Sequence, residues 1–570
     1  MRKHEYIRSS EENHLSFYPR PTLKRSEDAN YLNLNGIWDI DIKKSDIENI
    51  DIKNITFNKT INVPYPVESY ASGIEYDLSG DEVLIYHKSF EYLATKEKTI
   101  LHIDGADNYT VVYLNGERVG ENIGGYLPFS FDVSRLIRKT NDLIVIVSDN
   151  LDLNYPYGKQ SKESHGIWYT KCSGIWKSVW LESVDSDAIT KIKIDTDIDK
   201  KELKIDFFKE EKASIKIIFN NELIRKIDEY KSNEVIKFES INLWSPEEPN
   251  LYDLVISYKD DCVKSYFAFR KISVVEHNGF KVFALNNKPY FMHGLLDQGY
   301  YPESLLAISS IEALENDLKK IKEYGFNTLR KHIKIEEEIW YYLCDKLGII
   351  VWQDFVNSFK YNFFFDSALP TIGLKGKSLK IASYKREAKD FFINHSIETI
   401  DYLYNHPSIV LWTIFNEGWG QFETKRVYDL IKPHDSTRIF DSASGWFNDH
   451  KEREIESKHI YFKPIKIKKT YDKPLVISEF GGYALKIDNH TYYDKAFGYK
   501  VFNTKDEYNK ALFELYKNDI YENIKKGVCA SIYTQVSDVE EEINGIMTYD
   551  RKVMKLDKEV AIKISKMLKL

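Results

Sequence analysis

The chain has 570 residues, of which 43% are hydrophobic and 29% charged, and this balance excludes a largely disordered protein. A single hydrophobic core stops growing near about 250–300 residues, so the length predicts roughly two to four domains. The formal net charge of −8 and the lack of a basic run argue against a nucleic-acid partner. No apolar stretch is long enough for a signal-peptide core or a membrane span, so the sequence predicts a cytoplasmic protein that contacts no membrane.

Short β-rich runs separated by turns predict an all-β domain over residues 1–183. Its clearest signal is YTVVYLNGERVG, residues 109–120, where Asn115-Gly116 supplies the positive φ angles that a tight hairpin requires. A second series of regularly spaced strands predicts a small sandwich of immunoglobulin size over residues 184–273. The cysteines lack zinc-type spacing and are predicted to be reduced, mostly buried thiols: Cys172, Cys262, Cys344 and Cys529.

From residue 274 to 570, apolar strands alternate with amphipathic helices, a pattern typical of parallel α/β structure. In the helix predicted over 311–325, Ile311, Leu314, Leu318 and Ile321 share one face. Eight candidate strands are found at 290–296, 327–332, 349–355, 409–417, 437–444, 458–462, 474–480 and 529–535. They predict a (β/α)₈ TIM barrel. A doubly wound open sheet is the alternative, but no Gly-rich phosphate loop follows the first strand.

Catalytic groups in such barrels come from the C-terminal strand ends and the loops that follow them. Glu417 closes the fourth apolar strand and Glu479 closes the seventh. Hydrolysis of a glycoside with retention needs a protonated carboxylic acid and an ionised carboxylate about 5–5.5 Å apart. Strands four and seven face each other across the barrel mouth, and burial there raises a carboxyl pKa, as the acid requires. The sequence therefore predicts that Glu417 and Glu479 form a catalytic pair.

Two segments of the barrel resemble glycoside hydrolase family 2, which includes β-galactosidases, β-glucuronidases and β-mannosidases. NHPSIVLWTIFNEG (405–418) resembles the acid/base signature of the family, and PLVISEFGG (474–482) resembles its nucleophile segment. Further resemblances cover nearly the whole chain, at LNGIWDI, 172–182, 267–274, 327–334, 341–355 and 532–552. The resemblance implies an N-terminal β jelly-roll sugar-binding domain, an immunoglobulin-like β-sandwich and a catalytic C-terminal barrel.

The resemblance also implies roles for individual residues. It makes Glu417 the general acid/base and Glu479 the nucleophile, and Asn416 would bind the sugar hydroxyl beside the reacting carbon. Trp446 either stacks on a sugar face or covers the barrel rim. Tyr461 either donates to the nucleophile or is a buried structural tyrosine, and Tyr533 replaces a Trp that many relatives carry at the pocket floor. The remaining residues expected to bind substrate are Asp297, Arg330, His332 and Asp354.

Substrate identity rests on the region after strand eight, SDVEEEINGIMTYDRK (537–552). Glucuronidases of the family usually carry an Asn-x-Lys clasp there, whereas this chain has the acidic run Glu540, Glu541 and Glu542, of which at least two are expected to be solvated. These features favour an exo-acting enzyme for a neutral sugar, with β-galactosides ahead of β-glucuronides, β-mannosides and arabinosides.

No cofactor and no metal site are predicted, and homo-oligomerisation is left open. The alternative function is a carbohydrate-binding protein that has lost catalysis, against which the presence of both glutamates argues.

Overall fold

The computed structural model describes residues 8–9, 17–25, 31–362, 366, 384–447 and 451–570. Within these ranges the chain forms two β-sandwich units followed by a parallel barrel. The predicted fold class is therefore confirmed. The predicted domain limits of 1–183, 184–273 and 274–570 stay a prediction.

Eight parallel strands form the barrel sheet. In chain order they are β1 Met292–Asp297, β2 Thr328–Lys331, β3 Ile350–Asp354, β4 Ile409–Thr413, β5 Ile439–Asp441, β6 Glu456–Ile460, β7 Leu475–Gly481 and β8 Val528–Thr534. The order in the sheet is β5-β4-β3-β2-β1-β8-β7-β6, so β1 pairs with β8 and the barrel is nearly closed. Each predicted strand segment overlaps one of these strands, and the strand order, in which β1 lies beside β8, excludes the doubly wound alternative.

Helices surround the barrel: α1 Ile311–Glu323, α2 Glu338–Leu347, α3 Arg386–Leu403, α4 Thr424–Ile431, α5 Lys505–Leu515, α6 Glu522–Ile524 and α7 Lys558–Met567. The first of them forms where its apolar period predicts. The Ser310 hydroxyl accepts the Ala313 N–H at 3.1 Å as an N-cap, and Leu314, Leu318 and Ile321 are buried. No helix in the described ranges combines the length and apolar character needed to cross a membrane.

The N-terminal sandwich pairs a six-stranded sheet with a four-stranded sheet. The six strands, in sheet order, are Lys59–Val63, Gly36–Lys44, Glu82–Glu91, Thr140–Ser148, Tyr109–Leu114 and Glu117–Ile123. The four are Phe129–Asp132, Lys98–Ile103, Val179–Val184 and Leu32–Asn33. The predicted hairpin is present, because Asn115 and Gly116 take φ angles of 53° and 83° between paired strands.

The second sandwich pairs a five-stranded sheet with a three-stranded sheet. The five strands are Lys24–Arg25, Asp261–Phe267, Tyr252–Tyr258, Ala213–Phe219 and Glu222–Tyr230, and the three are Lys193–Asp197, Glu202–Asp206 and Val235–Lys237. The strand Lys24–Arg25 comes from the N-terminal segment, so the chain enters the second sandwich before it builds the first. A further small sheet, Ile272–His277, Phe280–Leu285 and Lys288–Pro289, shares a buried cluster with barrel residues such as Met292 and Ile350.

A loop of the N-terminal sandwich docks onto the barrel loops that follow β2 and β3. The backbone N–H groups of Tyr157 and Gly158 donate to the Asn357 carbonyl at 3.1 and 3.3 Å, and the Tyr157 hydroxyl donates to the Phe359 carbonyl at 2.8 Å. Gly158 has a φ of +66°, and a Cβ there would lie 2.9 Å from the Ile333 carbonyl oxygen. Only glycine allows the backbone to come this close to the barrel loop. The contact places residues 157–159 at the mouth of the barrel.

The acidic run after β8 joins the same two parts of the protein. Glu540 accepts the Thr170 N–H at 3.1 Å, and Glu541 accepts the Gly166 N–H at 3.0 Å. Glu542 accepts the Tyr169 hydroxyl at 2.5 Å. Glu540 and Glu542 are each only 2% exposed, so the expectation that at least two of the three are solvated is wrong. The carboxylates are buried because the N-terminal sandwich supplies donors to them.

The four cysteines are free thiols, as predicted. Cys172, Cys344 and Cys529 are buried, and Cys262 is exposed.

Candidate active site

The two predicted glutamates converge at the C-terminal end of the barrel strands. Glu479 lies within β7, and Glu417 lies just beyond β4. One carboxylate oxygen of each lies within 4.8 Å of the other, with His459 in the same group. Glu417 has a φ of 51°, in the left-handed region that few non-glycine residues adopt, and its N–H donates to the Ser444 carbonyl at 3.0 Å. The loop after β5 thus fixes the backbone that carries Glu417.

Arg330, on β2, is hydrogen-bonded to three other predicted site residues, which lie on β3, on β7 and just beyond β4. Its Nε donates to Asp354 at 2.9 Å, its Nη1 to Glu479 at 3.0 Å and its Nη2 to Asn416 at 2.8 Å. The guanidinium is fully buried, and these acceptors replace the hydrogen bonds that it would otherwise make to water. Arg330 therefore orients Glu479 and Asn416 together.

His332 and Asp354 form a second buried pair beside this network. His332 Nδ1 lies 2.7 Å from Asp354 Oδ2. Burial lowers the pKa of His332 to about 3, so the imidazole is neutral and its Nδ1–H donates to the carboxylate. Burial opposes ionisation of Asp354, yet Arg330 and His332 hold its pKa below the usual value. Nε2 of the neutral ring is then a hydrogen-bond acceptor.

His459, which the sequence analysis missed, touches both glutamates. Its Nδ1 lies 2.7 Å from Glu417 Oε1 and 3.5 Å from Glu479 Oε2, and its Nε2 lies 3.4 Å from Arg330 Nη1. Because arginine only donates, Nε2 accepts and the Nδ1–H donates to Glu417. Burial lowers the pKa of His459 to about 4, so the ring is neutral. His459 lies two residues before Tyr461, and residues two apart on a strand share a face. This spacing was the signal in the sequence that could have identified His459 as a site residue.

Tyr461, at the end of β6, donates its hydroxyl to Glu479 and lies 3.0 Å from Thr534 Oγ1. Its ring stacks on Tyr499 with centroids 4.2 Å apart. The Trp446 indole N–H donates to the Glu417 carbonyl at 3.0 Å, and its ring lies 5.6 Å from that of His459. Both residues therefore border the glutamate pair, whereas their roles toward a sugar stay predictions.

Two predicted site residues lie apart from this network. Asp297 accepts the Lys331 ammonium at 2.7 Å and the Gly299 N–H at 2.9 Å. Tyr533 is fully buried, and its hydroxyl accepts the Tyr483 N–H at 3.1 Å. Their contacts are structural, and a role for either in substrate binding stays a prediction.

Burial raises the pKa of both glutamates, but the groups that oppose this rise differ between them. It raises the pKa of Glu417 to about 7, against the Lys159 and Arg330 cations. Burial and the Glu417 charge also raise the pKa of Glu479, while His459, Arg330 and Tyr461 oppose that rise. Glu479 directly accepts hydrogen bonds from Arg330 and Tyr461. The arrangement suits a Glu417 that exchanges a proton near neutral pH, and it gives Glu479 two hydrogen-bond donors that stabilise its ionised form.

Glu417, His459 and Glu479 also form a group with the atom types of a metal site. Ligands of a tetrahedral zinc ion stand about 3.4 Å apart, given bonds of about 2.0–2.2 Å. The separation of 2.7 Å between His459 Nδ1 and Glu417 Oε1 is instead that of a hydrogen bond. This geometry does not fit a tetrahedral zinc ion held by all three residues.

The chain is similar to several known proteins. It is 26% identical over 345 residues to a putative β-glucuronidase of Formosa agariphila, covering 56% of this chain and 37% of that protein. It is 24% identical over 435 residues to the β-galactosidase large subunit of Lactobacillus helveticus, covering 68% of this chain and 65% of that protein. The chain thus spans less than two thirds of the length of these curated relatives. Its fold matches the solved β-D-glucuronidase of Dictyoglomus thermophilum with a TM-score of 0.74, at 18% identity, over 96% of this chain and 98% of that one.

Three family profiles match consecutive parts of the chain. The sugar binding domain of glycosyl hydrolases family 2 matches residues 30–184, and a further domain of that family matches residues 177–270. The TIM barrel domain of the same family matches residues 275–567, which is more than half of the chain and includes the whole glutamate site. The chain belongs to glycoside hydrolase family 2.

Proposed function

We propose that the protein is a retaining, exo-acting glycoside hydrolase that cleaves terminal β-glycosides by double displacement. The observation that carries this proposal is the separation of the glutamates, whose oxygens lie within 4.8 Å of each other. Retaining enzymes place their carboxyl groups about 5–5.5 Å apart, whereas inverting enzymes need about 6.5–9.5 Å to admit a water molecule.

In the first step, Glu479 attacks the anomeric carbon while Glu417 protonates the departing oxygen. Arg330, on β2, and Tyr461, just after β6, hold the attacking carboxylate by direct hydrogen bonds. In the second step, Glu417 is ionised and removes a proton from water, which attacks the glycosyl-enzyme and releases Glu479. The His459 N–H at 2.7 Å stabilises Glu417 in this charged state.

The mechanism predicts a basic limb in the pH profile of kcat/KM. Glu417 must be protonated in the first step, and its pKa is raised to about 7, so the active form dominates below that pH. Activity on an alkyl glycoside, whose leaving group needs the proton, should fall about tenfold per unit as pH rises above about 7. Initial rates from pH 4 to 10 provide the measurement. A profile that stays flat to pH 10 contradicts Glu417 as the acid.

The sugar is proposed at a finer level. The sequence favours a neutral β-galactoside, and the relative from Lactobacillus helveticus carries that activity in its name. The structure weakens the argument that the acidic run favours a neutral sugar, because Glu540 and Glu541 accept hydrogen bonds from backbone amides of the N-terminal sandwich. The alternative is a β-uronide. The observation that favours it is a buried lysine, Lys159, whose charge lowers the pKa of Glu417.

A panel of nitrophenyl glycosides tests the proposed function. It contains β-galactoside, β-glucoside, β-mannoside, arabinoside, β-glucuronide and β-galacturonide, and hydrolysis of at least one is expected. NMR of the first product formed should show the β-anomer, before mutarotation, as retention requires. The α-anomer as first product would establish inversion. Silence across the whole panel would favour the carbohydrate-binding alternative.

A further inference from the structure

Lys159 is a buried cation that the proposed mechanism does not use. It belongs to the N-terminal sandwich, and only 9% of the residue is exposed. Its ammonium lies 5.3 Å from the centre of the Trp168 ring, a cation–π distance. Among the residues that the structure describes, no hydrogen bond or ion pair reaches this ammonium.

The surroundings of Lys159 place it at the barrel mouth. The preceding residues Tyr157 and Gly158 are fixed to the Asn357 carbonyl, beyond the end of β3. The Trp168 ring contacts Trp419, two residues after Glu417, with centroids 4.9 Å apart. The Lys159 charge lowers the pKa values of four groups around the site: Glu417, Glu542, His332 and His459. The ammonium therefore faces the space in front of Glu417.

Of the acidic groups that the structure describes around this space, none neutralises Lys159. Glu417 must be protonated in the first step, so it cannot serve as a counterion then. Glu542 already accepts the Tyr169 hydroxyl at 2.5 Å and the Asn544 amide at 2.8 Å, and it lies beyond ion-pair distance of Lys159. The buried Arg330 is met by Asp354 and Glu479. A buried charge is costly unless it is paired, so the free site has a cation that an anionic ligand would satisfy.

We propose that Lys159 is a specificity-determining residue that binds the carboxylate of a terminal uronic acid, so that the preferred substrates are β-uronides. The inference rests on the proposed function and deepens it. The cation comes from the N-terminal sandwich rather than from the loop after β8, where glucuronidases of the family usually carry their Asn-x-Lys clasp. The sugar-binding sandwich thus completes the pocket of the barrel, and the loop 157–159, anchored through Gly158, sets the position of the ammonium.

Paired substrates test this proposal: nitrophenyl β-galacturonide with β-galactoside, and β-glucuronide with β-glucoside. In the wild type, kcat/KM should be higher for the uronide of at least one pair. Lys159→Met keeps the apolar stem and removes the charge, and should lower the uronide-to-neutral ratio of kcat/KM by about 100-fold. Lys159→Arg should recover part of this ratio. Lys162→Met, at an exposed lysine of the same loop, should leave the ratio unchanged.

The ratio separates recognition from other effects of the substitution. Loss of Lys159 also removes a charge that acts on Glu417, but that change affects both members of a pair alike. A second measurement is binding of free galacturonate or glucuronate by calorimetry, which Lys159→Met should abolish. A wild type that hydrolyses neutral glycosides and no uronide would overturn the inference and leave the proposed function standing. An equal loss on both substrates in Lys159→Met would also overturn it, whereas silence on every glycoside defeats the proposed function itself.

Discussion

Glu479→Ala is expected to lower kcat on the order of 10⁵-fold on every glycoside, whatever its leaving group. In the proposed mechanism the Glu479 carboxylate attacks from a position fixed by Arg330 and Tyr461, and a positioned nucleophile has an effective concentration of about 10⁵ M or more. Since the glycosyl-enzyme cannot form without it, an activated leaving group gives no relief. Steady-state rates on dinitrophenyl, nitrophenyl and alkyl glycosides measure the loss.

Azide provides the control for this substitution. A small anion that enters the space left by the Glu479 side chain attacks the anomeric carbon directly, so the product should be a glycosyl azide of inverted configuration. Circular dichroism and thermal unfolding should show that the variant is folded. A glycosyl azide of retained configuration from this variant would show that Glu479 is not the nucleophile.

Glu417→Ala is expected to have a leaving-group-dependent effect. A dinitrophenyl glycoside needs little protonation, so the glycosyl-enzyme still forms, while its hydrolysis lacks a base. A burst of dinitrophenol followed by slow turnover should appear in stopped-flow traces. On an alkyl glycoside, which depends on the acid, kcat/KM should fall by about 10²–10⁴-fold. Azide should accelerate the slow phase and give a glycosyl azide of retained configuration.

The configuration of the azide product distinguishes the two glutamates. If Glu417→Ala yields the inverted azide and Glu479→Ala the retained one, the two roles must be exchanged. Glu522→Ala, at a partly exposed helix residue outside the site, should behave as the wild type and serves as the matched control. A Glu417→Ala enzyme with equal losses on dinitrophenyl and alkyl glycosides would contradict its role as the acid.

The barrel strands and the two glutamates that converge at the barrel mouth were predictable because their signals are local. Each strand is a short apolar run between turn or helix residues, and β3, β4 and β8 are buried along their whole length. Glu417 and Glu479 stand out because burying a carboxylate at the end of such a run costs free energy unless the group is paired or used in catalysis. The Asn115-Gly116 hairpin was predictable for the same reason, since the turn needs two positive φ angles.

Contacts between distant parts of the chain were decided only by the tertiary structure. His459 meets Glu417 because Ser444, in the loop after β5, pairs with residues 415–417 and contacts His459, and nothing in the segment around His459 encodes that partner. The acidic run 540–542 looks like a solvated loop, yet it is buried against residues 166–170 of another domain. The prediction that at least two of these three glutamates are solvated was therefore wrong, because burial depends on what packs against a segment as well as on its composition.

By itself, the sequence determined the order of the elements, the barrel and the two glutamates, since strand period, turn chemistry and strand ends are properties of neighbouring residues. The tertiary structure alone decided the electrostatics of the site. Burial raises the pKa of Glu417 to about 7, and the charge of Lys159, in the N-terminal sandwich, acts against that rise. Both effects depend on the distance between charges and on the exclusion of water, which arise only when the sandwich closes over the barrel mouth.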